Sequence, residues 1–498
     1  MKLSKITIRN FRLIQEATLD IDDELTVIVG KNNTAKTSCM TILEKIFKGE
    51  RLSFDDFPLS KRNTLYENLV CFIKNELKYE DLLAHIENTS VELEVDYSLE
   101  GEDDELGALS RFIIDLDSNK TTVFITAEYS LKIGEDALKN ILPQDEEDRD
   151  SLKNNVKVAC EKDFFKHFEF KCCVYSGPSG DSNRSSSIIE NSVLNKLFNF
   201  FSIHAERPLG ESKENKDNSL ENLISDFFKK DDIRDGSELE KKISDFKKEA
   251  QEYGKNLASI IESSLSDIVQ SAIGFGYPND KELTLGTKST FEAEEQIKST
   301  AKLTYRYGDN EDLPNGYNGL GYKNLINLEF AIASFARQIK QEEQRSIPIL
   351  FIEEPESHMH PQMQALFIEF LTNYLADLSD RDIQVILTSH SPRIANNTDF
   401  KKIRYAQKTK NGVIYKNFSR FACKDQETSD FIKKYLTISR CDLFFADKII
   451  LIEGASERLL IPDMIDKCAR ENLFGENKQN LSNEYYSISP LLHMTDAS

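Results

Sequence analysis

No stretch of this 498-residue chain approaches the ~18 consecutive apolar residues needed to cross a bilayer. Its first residues, MKLSKITIRNF, alternate polar and apolar side chains instead of building the apolar core of a signal peptide. The sequence therefore reads as a water-soluble protein with no membrane partner. The eight cysteines are scattered, and only Cys172 and Cys173 are adjacent. With no C-x-x-C pair, neither zinc-finger spacing nor a disulfide framework is present, and a reducing, cytoplasmic setting fits. Positive charge is also short: 63 Lys and Arg stand against 85 Asp and Glu, a formal net charge of -22. That balance excludes a protein whose whole surface binds nucleic acid by counterion release, and leaves only a local basic groove for such a partner. Internal repeats and low-complexity linkers are missing as well, and length alone argues for two or three domains. The acidic runs GEDDE (101–105) and DEEDRD (145–150) read as solvated loops, since metal ligands seldom come as contiguous charges.

What is present is a pattern of alternating elements. Residues 3–9, 17–22 and 25–29 read as short strands, with a turn at Asn10 to Arg12. Met40, Ile42, Leu43, Ile46 and Phe47 recur at helical spacing, which predicts a helix from Lys36 to about Phe47. Further strands are predicted at 90–98, 121–132, 168–176 and 198–204, separated by polar helical segments. The Lys- and Glu-rich stretch 213–270 carries apolar positions without a strict heptad and is read as a helical arm or dimerisation element. From 302 the order strand (302–307), Gly-rich loop, helix (322–341), strand (347–353), helix (362–376), strand (383–388) predicts a parallel sheet with crossover helices. A hairpin near 402–417, helices at 427–446 and an apolar strand at Lys448 to Ile452 follow.

Two stretches more than three hundred residues apart carry the chemistry. VGKNNTAKTS follows the apolar strand LTVIV and precedes a helix, so the backbone N–H groups of Gly30 to Ser38 and the helix N-terminus can wrap phosphate oxygens. Gly30, Asn32, Asn33, Lys36, Thr37 and Ser38 are the candidate nucleotide contacts, Lys36 for the β and γ phosphates and Thr37 for Mg2+. Against the G-x-x-x-x-G-K-[ST] pattern the second glycine is Ala35, whose Cβ is expected to strain a loop needing positive φ by about 1 kcal/mol or more. The second stretch, PILFIEEPESHMHP, is an unbroken apolar run that ends in Glu353 and Glu354, after which Pro355 stops the strand. A buried parallel strand reads this way, and its carboxyl end is where open α/β sheets place ligands. Glu353 is expected to hold Mg2+ through water and Glu354 to polarise the attacking water. A neighbouring strand ends in SHSP and puts His390 on the same edge, within reach of a γ-phosphate. NGLGYKN, with Asn318, Gly319 and Gly321 ahead of a helix, suits a second phosphate contact.

The order of phosphate loop, NGLGYKN, IEEPESHMHP and TSHSP resembles ATPases of the ABC and SMC type. That resemblance implies an ATP-sandwich homodimer in which Asn318, Gly319 and Gly321 reach the nucleotide of the opposite protomer. Such ATPases usually carry aspartate where Glu353 stands, so the arm to the metal is longer here.

Near the end of the chain, DKIILIEGASERLLIPDMI delivers Glu453 from a strand, turns at a glycine, and sets Glu457 one helical turn on, so that both carboxylates can face one divalent metal. This resembles the opening of a Toprim domain. With KITIRNFRLI, SIHAERP and LIEG-x-x-E, the chain resembles nearly throughout the OLD (overcoming lysogenisation defect) family of ATP-dependent endonucleases, which includes the nuclease subunit of the Gabija anti-phage system and retron-associated effectors. The resemblance implies an α/β fold: an ABC-type ATPase head with a mixed β lobe at 1–212 and 276–425 and a helical dimerisation insert at 213–275. A helical linker at 426–446 and a partial Toprim domain at 447–498 would follow. It also implies ATP with Mg2+, or Mn2+ at the Toprim site, DNA as substrate, a homodimer or higher homo-oligomer, and a defence-system partner. The Asp-x-Asp pair and the lysine that a Toprim nuclease also uses are not supplied after Glu457, because Asp463 and Asp466 lie on the following helix. Roughly half of a Toprim unit is therefore expected to lie outside these residues, or to be lost in a product that does not cut alone. That leaves a second reading open, an ATP-binding sensor or scaffold that gates a partner. An SMC-like tether fits less well, since it wants a longer paired coiled coil than 213–270.

Overall fold

In a computed structural model of the chain, the residues described are 1–97, 107–114, 120–144, 148–181, 184–204, short pieces within 241–260, 304–307, 311–314, 320–340, 346–357, 359–378, 382–410, 412–420, 444–446, 448–471, 473 and 486–490. They divide into two units, Met1–Ala205 with Glu342–Ser498, and Glu206–Gln341. The predicted arm over 213–270 falls almost entirely outside the described residues, as do nearly all of the helices expected at 427–446.

The first unit holds two six-stranded sheets, and the hydrophobic periodicity explains their difference. Strands that alternate apolar and polar residues form an antiparallel lobe in the order Ile14–Asp20, Lys2–Phe11, Thr89–Asp96, Thr122–Leu131, Phe168–Tyr175, Ser186–Ile189. One face of such a sheet packs on a core and the other meets water, which is what alternation encodes. Its inward residues, among them Ile6, Ile8, Val91, Leu93, Ile125 and Ala127, join one core with apolar residues of the helices Lys36–Lys48, Leu59–Ile73 and Arg149–Lys162. The second sheet is built around the buried runs Leu25–Val29, Gln384–Ser389 and Ile347–Glu353, in the order Gly412–Asn417, Ile403–Thr409, Leu25–Val29, Gln384–Ser389, Ile347–Glu353, Phe198–Ile203. All neighbours here are parallel except the 403–417 hairpin.

The two sheets are tied by a buried glutamine. The Gln384 side chain accepts from Leu3 N (2.7 Å) and donates to Leu3 O (2.9 Å) and Asp22 O (3.1 Å), so its carbonyl and both N–H bonds are used. Asp56, 1% exposed, meets Arg12 at 2.9 Å and Lys45 at 3.3 Å and so joins the turn after the strand Lys2–Phe11 to the helix Lys36–Lys48. Burial raises the Asp56 carboxyl, but hydrogen bonds from Ser53 and the charges of Lys45 and Arg12 outweigh this and leave it below its ordinary value.

One expectation needs correction, and one strand is added. The strand near 302–307 is present as Thr304–Tyr307, but it pairs antiparallel with Glu311–Pro314 as a two-stranded hairpin instead of entering the parallel sheet. The intervening sequence Gly-Asp-Asn is of the composition that reverses a chain, a signal outweighed above by the α/β rhythm. At the other end, Lys448–Ile452 pairs in parallel with Tyr486–Pro490, a strand too short and too polar to be predicted.

Candidate nucleotide and metal sites

Strand register gathers the first site. Val29 pairs with Ser389, Glu353 with Thr388, and Ile352 with Ile203, so the residues that follow these strand ends share one edge of the sheet. Gly30 leaves the central strand in close quarters: a Cβ there would stand 2.8 Å from Ala406 O and 2.9 Å from Thr34 Oγ1. Beyond it Asn33 (φ 62°) and Ala35 (φ 60°) both adopt the left-handed region, the kind of turn backbone from which successive N–H groups can form an anion nest. The strain expected at Ala35 is therefore present. Its carbonyl is held by the Tyr415 hydroxyl at 3.1 Å and by Cys39 N at 3.2 Å. Asn32 and Asn33 are exposed on the loop, and Ser38 is buried in the first turn of the helix Lys36–Lys48.

Lys36, 4% exposed, points its ammonium into the loop, donating to Gly30 O (2.7 Å) and Lys31 O (2.8 Å) and standing 4.0 Å from Glu354. Burial pushes its pKa down, opposed by the charges of Glu354, Glu356 and Glu353. The Thr37 hydroxyl donates to Glu353 Oε1 across 316 residues of sequence. One hydroxyl and one carboxylate in contact, with a phosphate loop beside them, are the hard-oxygen donors that suit a Mg2+-like cation sharing its remaining ligands with phosphate and water. Glu354 follows with φ 40°, a strained conformation for a non-glycine residue, and its amide is held by Thr388 O at 3.0 Å. His390 Nδ1 lies 3.5 Å from Glu354 and 3.3 Å from Glu356. The bond to Glu354 raises the imidazole pKa, which burial and Lys36 oppose. A carboxylate and an imidazole so paired can orient a water and contact a terminal phosphate.

Sequence reasoning missed four residues of this site. Glu356 is buried, accepts from Ser389 Oγ (2.8 Å) and His390 N (2.7 Å), and thereby fixes the SHSP turn against the PESHMHP turn. Burial pushes its carboxyl upward against these bonds. On the other side, His204 Nε2 lies 2.9 Å from Glu44 Oε1 and Nδ1 lies 3.6 Å from Glu353 Oε2, while Ser202 Oγ also bonds Glu44 Oε1. The bonds to Glu353 and Glu44 push the His204 pKa up to about 9. Burial raises the Glu44 pKa, but the bonds from His204 and Ser202 leave it below the usual range. The sequence carries two signals for these residues: Glu356 stands in PESHMHP, and Ser202 and His204 stand in SIHAERP, two apart and on one face of a strand predicted at 198–204.

Asn318 and Gly319 lie outside the described residues, and Gly321 sits in the first turn of the helix Leu320–Lys340, in the second unit. Glu453 and Glu457 are neighbours as expected, but Glu457 spends one oxygen on the amides of Glu453 (3.0 Å) and Gly454 (2.6 Å), capping the helix Ala455–Arg470. Among the described residues no third acid joins them in a metal-binding group. Nor is any described helix long and apolar enough to cross a membrane.

The comparisons with known proteins follow this geometry. Residues 1–395 match the AAA ATPase domain family, and residues 444–489 match the TOPRIM domain of overcoming lysogenization defect protein-like sequences. The endonuclease GajA of Bacillus cereus (strain HuB5-5) is 25% identical over 478 residues, which cover 90% of this chain and 65% of that protein. The OLD nuclease of Thermus scotoductus is 26% identical over 207 residues, 40% of this chain and 36% of its own length. The Old nuclease of Escherichia phage P2 is 23% identical over 170 residues, 33% of this chain and 28% of that protein. The chain thus spans less than two thirds of the length of each of these relatives. It belongs to the AAA ATPase domain family, and the TOPRIM match behind that domain gives it the ATPase-then-Toprim order of the OLD family.

Proposed function

We propose that this chain is the ATP-driven part of a metal-dependent DNA endonuclease of the OLD family, acting in anti-phage defence. The observation that carries the reading is the contact of Thr37 with Glu353, with Glu354 beside it between Lys36 at 4.0 Å and His390 at 3.5 Å. The loop amides and Lys36 bind the phosphates of ATP, and Thr37 and Glu353 hold Mg2+. When bound, that ion neutralises phosphate charge. Glu354 orients and deprotonates the attacking water, and His390 donates to the γ-phosphate and so distinguishes ATP from ADP. Asn318, Gly319 and Gly321 complete the site from a second copy, which makes the active unit at least a homodimer. Glu453 and Glu457 take Mg2+ or Mn2+ for cleavage of DNA, and the nucleotide state of the heads governs access to them. The relatives' names, endonuclease GajA and OLD nuclease, support nuclease activity.

The test is nicking of supercoiled plasmid by the purified protein with Mg2+ or Mn2+, with and without ATP. Cleavage by the wild type and none by Glu453→Ala is expected. No cleavage by either overturns the nuclease reading and supports a rival, an ATP-binding sensor that gates a partner effector. The rival is favoured by one observation, the commitment of a Glu457 oxygen to backbone amides.

A further inference from the structure

Glutamate carries its carboxylate one methylene farther from the backbone than aspartate, and the extra torsion must be fixed before the group can present one oxygen at a defined point. In this site the two oxygens of Glu353 face different elements. Oε1 receives the Thr37 hydroxyl, and Oε2 faces His204 Nδ1 at 3.6 Å. The other imidazole nitrogen lies 2.9 Å from Glu44, whose side chain is 11% exposed. Glu44 is on the helix Lys36–Lys48, seven residues after Thr37 and hence on the same face two turns along. The contacts therefore close a ring: Thr37 to Glu353, Glu353 to His204, His204 to Glu44, and Glu44 back to Thr37 through two turns of helix. Ser202 and Lys48 (3.4 Å) also meet Glu44 and fix its rotamer. A buried carboxylate is costly unless it is paired and hydrogen-bonded, as Glu44 is by His204, Ser202 and Lys48.

We propose that His204, braced by Glu44, is a positioning residue that holds Glu353 Oε2 so that Oε1 stays beside Thr37, where the nucleotide's divalent cation is taken. The inference rests on the nucleotide–metal reading above and assigns to His204 the task of restraining the long arm of Glu353. The same ring couples the helix that carries Lys36 and Thr37 to the strand ending in Glu353, so displacing His204 loosens the metal pair without touching the phosphate loop.

The experiment is a titration of a fluorescent ATP analogue into the full chain at increasing Mg2+, and again in EDTA, with thermal melts to confirm folding. For His204→Ala the Mg2+ needed for half-maximal enhancement of binding is expected to rise about tenfold, the usual cost of removing a group that orients a metal ligand. Affinity in EDTA stays within about twofold, since the phosphate loop is intact. His204→Asn restores most of the loss, and Glu44→Gln, which keeps the shape of the brace, loses about threefold. In a Glu353→Asp background, where the arm is short, removing His204 costs less than about threefold, the non-additivity expected of coupled residues. An unchanged Mg2+ dependence in His204→Ala overturns the proposal, as does an equal loss in EDTA or the same tenfold cost in the Glu353→Asp background. If the wild type binds nucleotide with no dependence on metal, the reading of the site itself fails, and the inference with it.

Discussion

Two apolar strands of this chain end in glutamate at a turn, and they fare differently. Ile347–Glu353 is buried along its whole length between Phe198–Ile203 and Gln384–Ser389. Its terminal acids meet Lys36, Thr37, His204 and His390, from three other places in the sequence. Lys448–Ile452 pairs with Tyr486–Pro490 in a two-stranded sheet, with Ile449 49% and Leu451 58% exposed. There the bonds of the acid pair among the described residues are local, Glu457 on the amides of Glu453 and Gly454. The same local sequence logic, an apolar run, an acid and a turn, delivers a carboxylate in both places. Neighbouring strands on both sides are what convert delivery into a site with defined geometry, because each brings a side chain that restrains the acid from another direction.

If that contrast is right, substitutions at the first site have large effects on nucleotide turnover and on stability, and those at the second have small effects on folding. The largest is expected for Glu354→Gln, which keeps shape but removes the base: ATP turnover falls about 10²–10⁴-fold while nucleotide affinity is retained, as measured by phosphate release alongside binding. Next is Asp56→Ala, which leaves Arg12 and Lys45 unpaired beside the helix of the phosphate loop and costs about 3–5 kcal/mol in denaturant unfolding. The depressed Asp56 carboxyl also sets a pH signature. Its contribution is complete above the unfolded value near ~4 and is lost as pH falls through the lower folded value, so Asp56→Asn flattens the acid limb of a stability profile. Ala35→Gly removes the left-handed strain of about 1 kcal/mol, offset in part by the greater freedom of glycine in the unfolded chain. It is expected to tighten nucleotide binding by no more than about fivefold, read by the same titration. The smallest effect is that of Glu457→Gln on folding. Weakening one exposed cap costs about 0.5–1 kcal/mol locally and leaves the melting of the ATPase sheet unmoved, as followed by hydrogen exchange.

The contrast also explains what could be read from the sequence. The phosphate loop, the Glu353–Glu354 strand and His390 were legible because each is a local pattern with a structural context, strand then loop then helix or strand then turn. The positive φ of Ala35 was legible for the same reason, since the template places a glycine there. The Glu44–Ser202–His204 group was not, because its bonds join residues about 160 apart and leave no spacing signature. Glu356 was in view within the motif, but its role lies in bonds to Ser389 and His390 that only the sheet register reveals. Thr304–Tyr307 was recognised as a strand and assigned to the wrong partner, since strand periodicity says nothing about which edge it meets.

The central claim is that Lys36, Thr37 and Glu353 form one metal–nucleotide site. Binding of a fluorescent ATP analogue to wild type and to Thr37→Ala, each with Mg2+ and with EDTA, tests it most directly. The wild type is expected to bind at least about tenfold more tightly with Mg2+ than in EDTA, and Thr37→Ala to lose that difference while keeping its affinity in EDTA. A Thr37→Ala protein that retains the full Mg2+ enhancement contradicts the account.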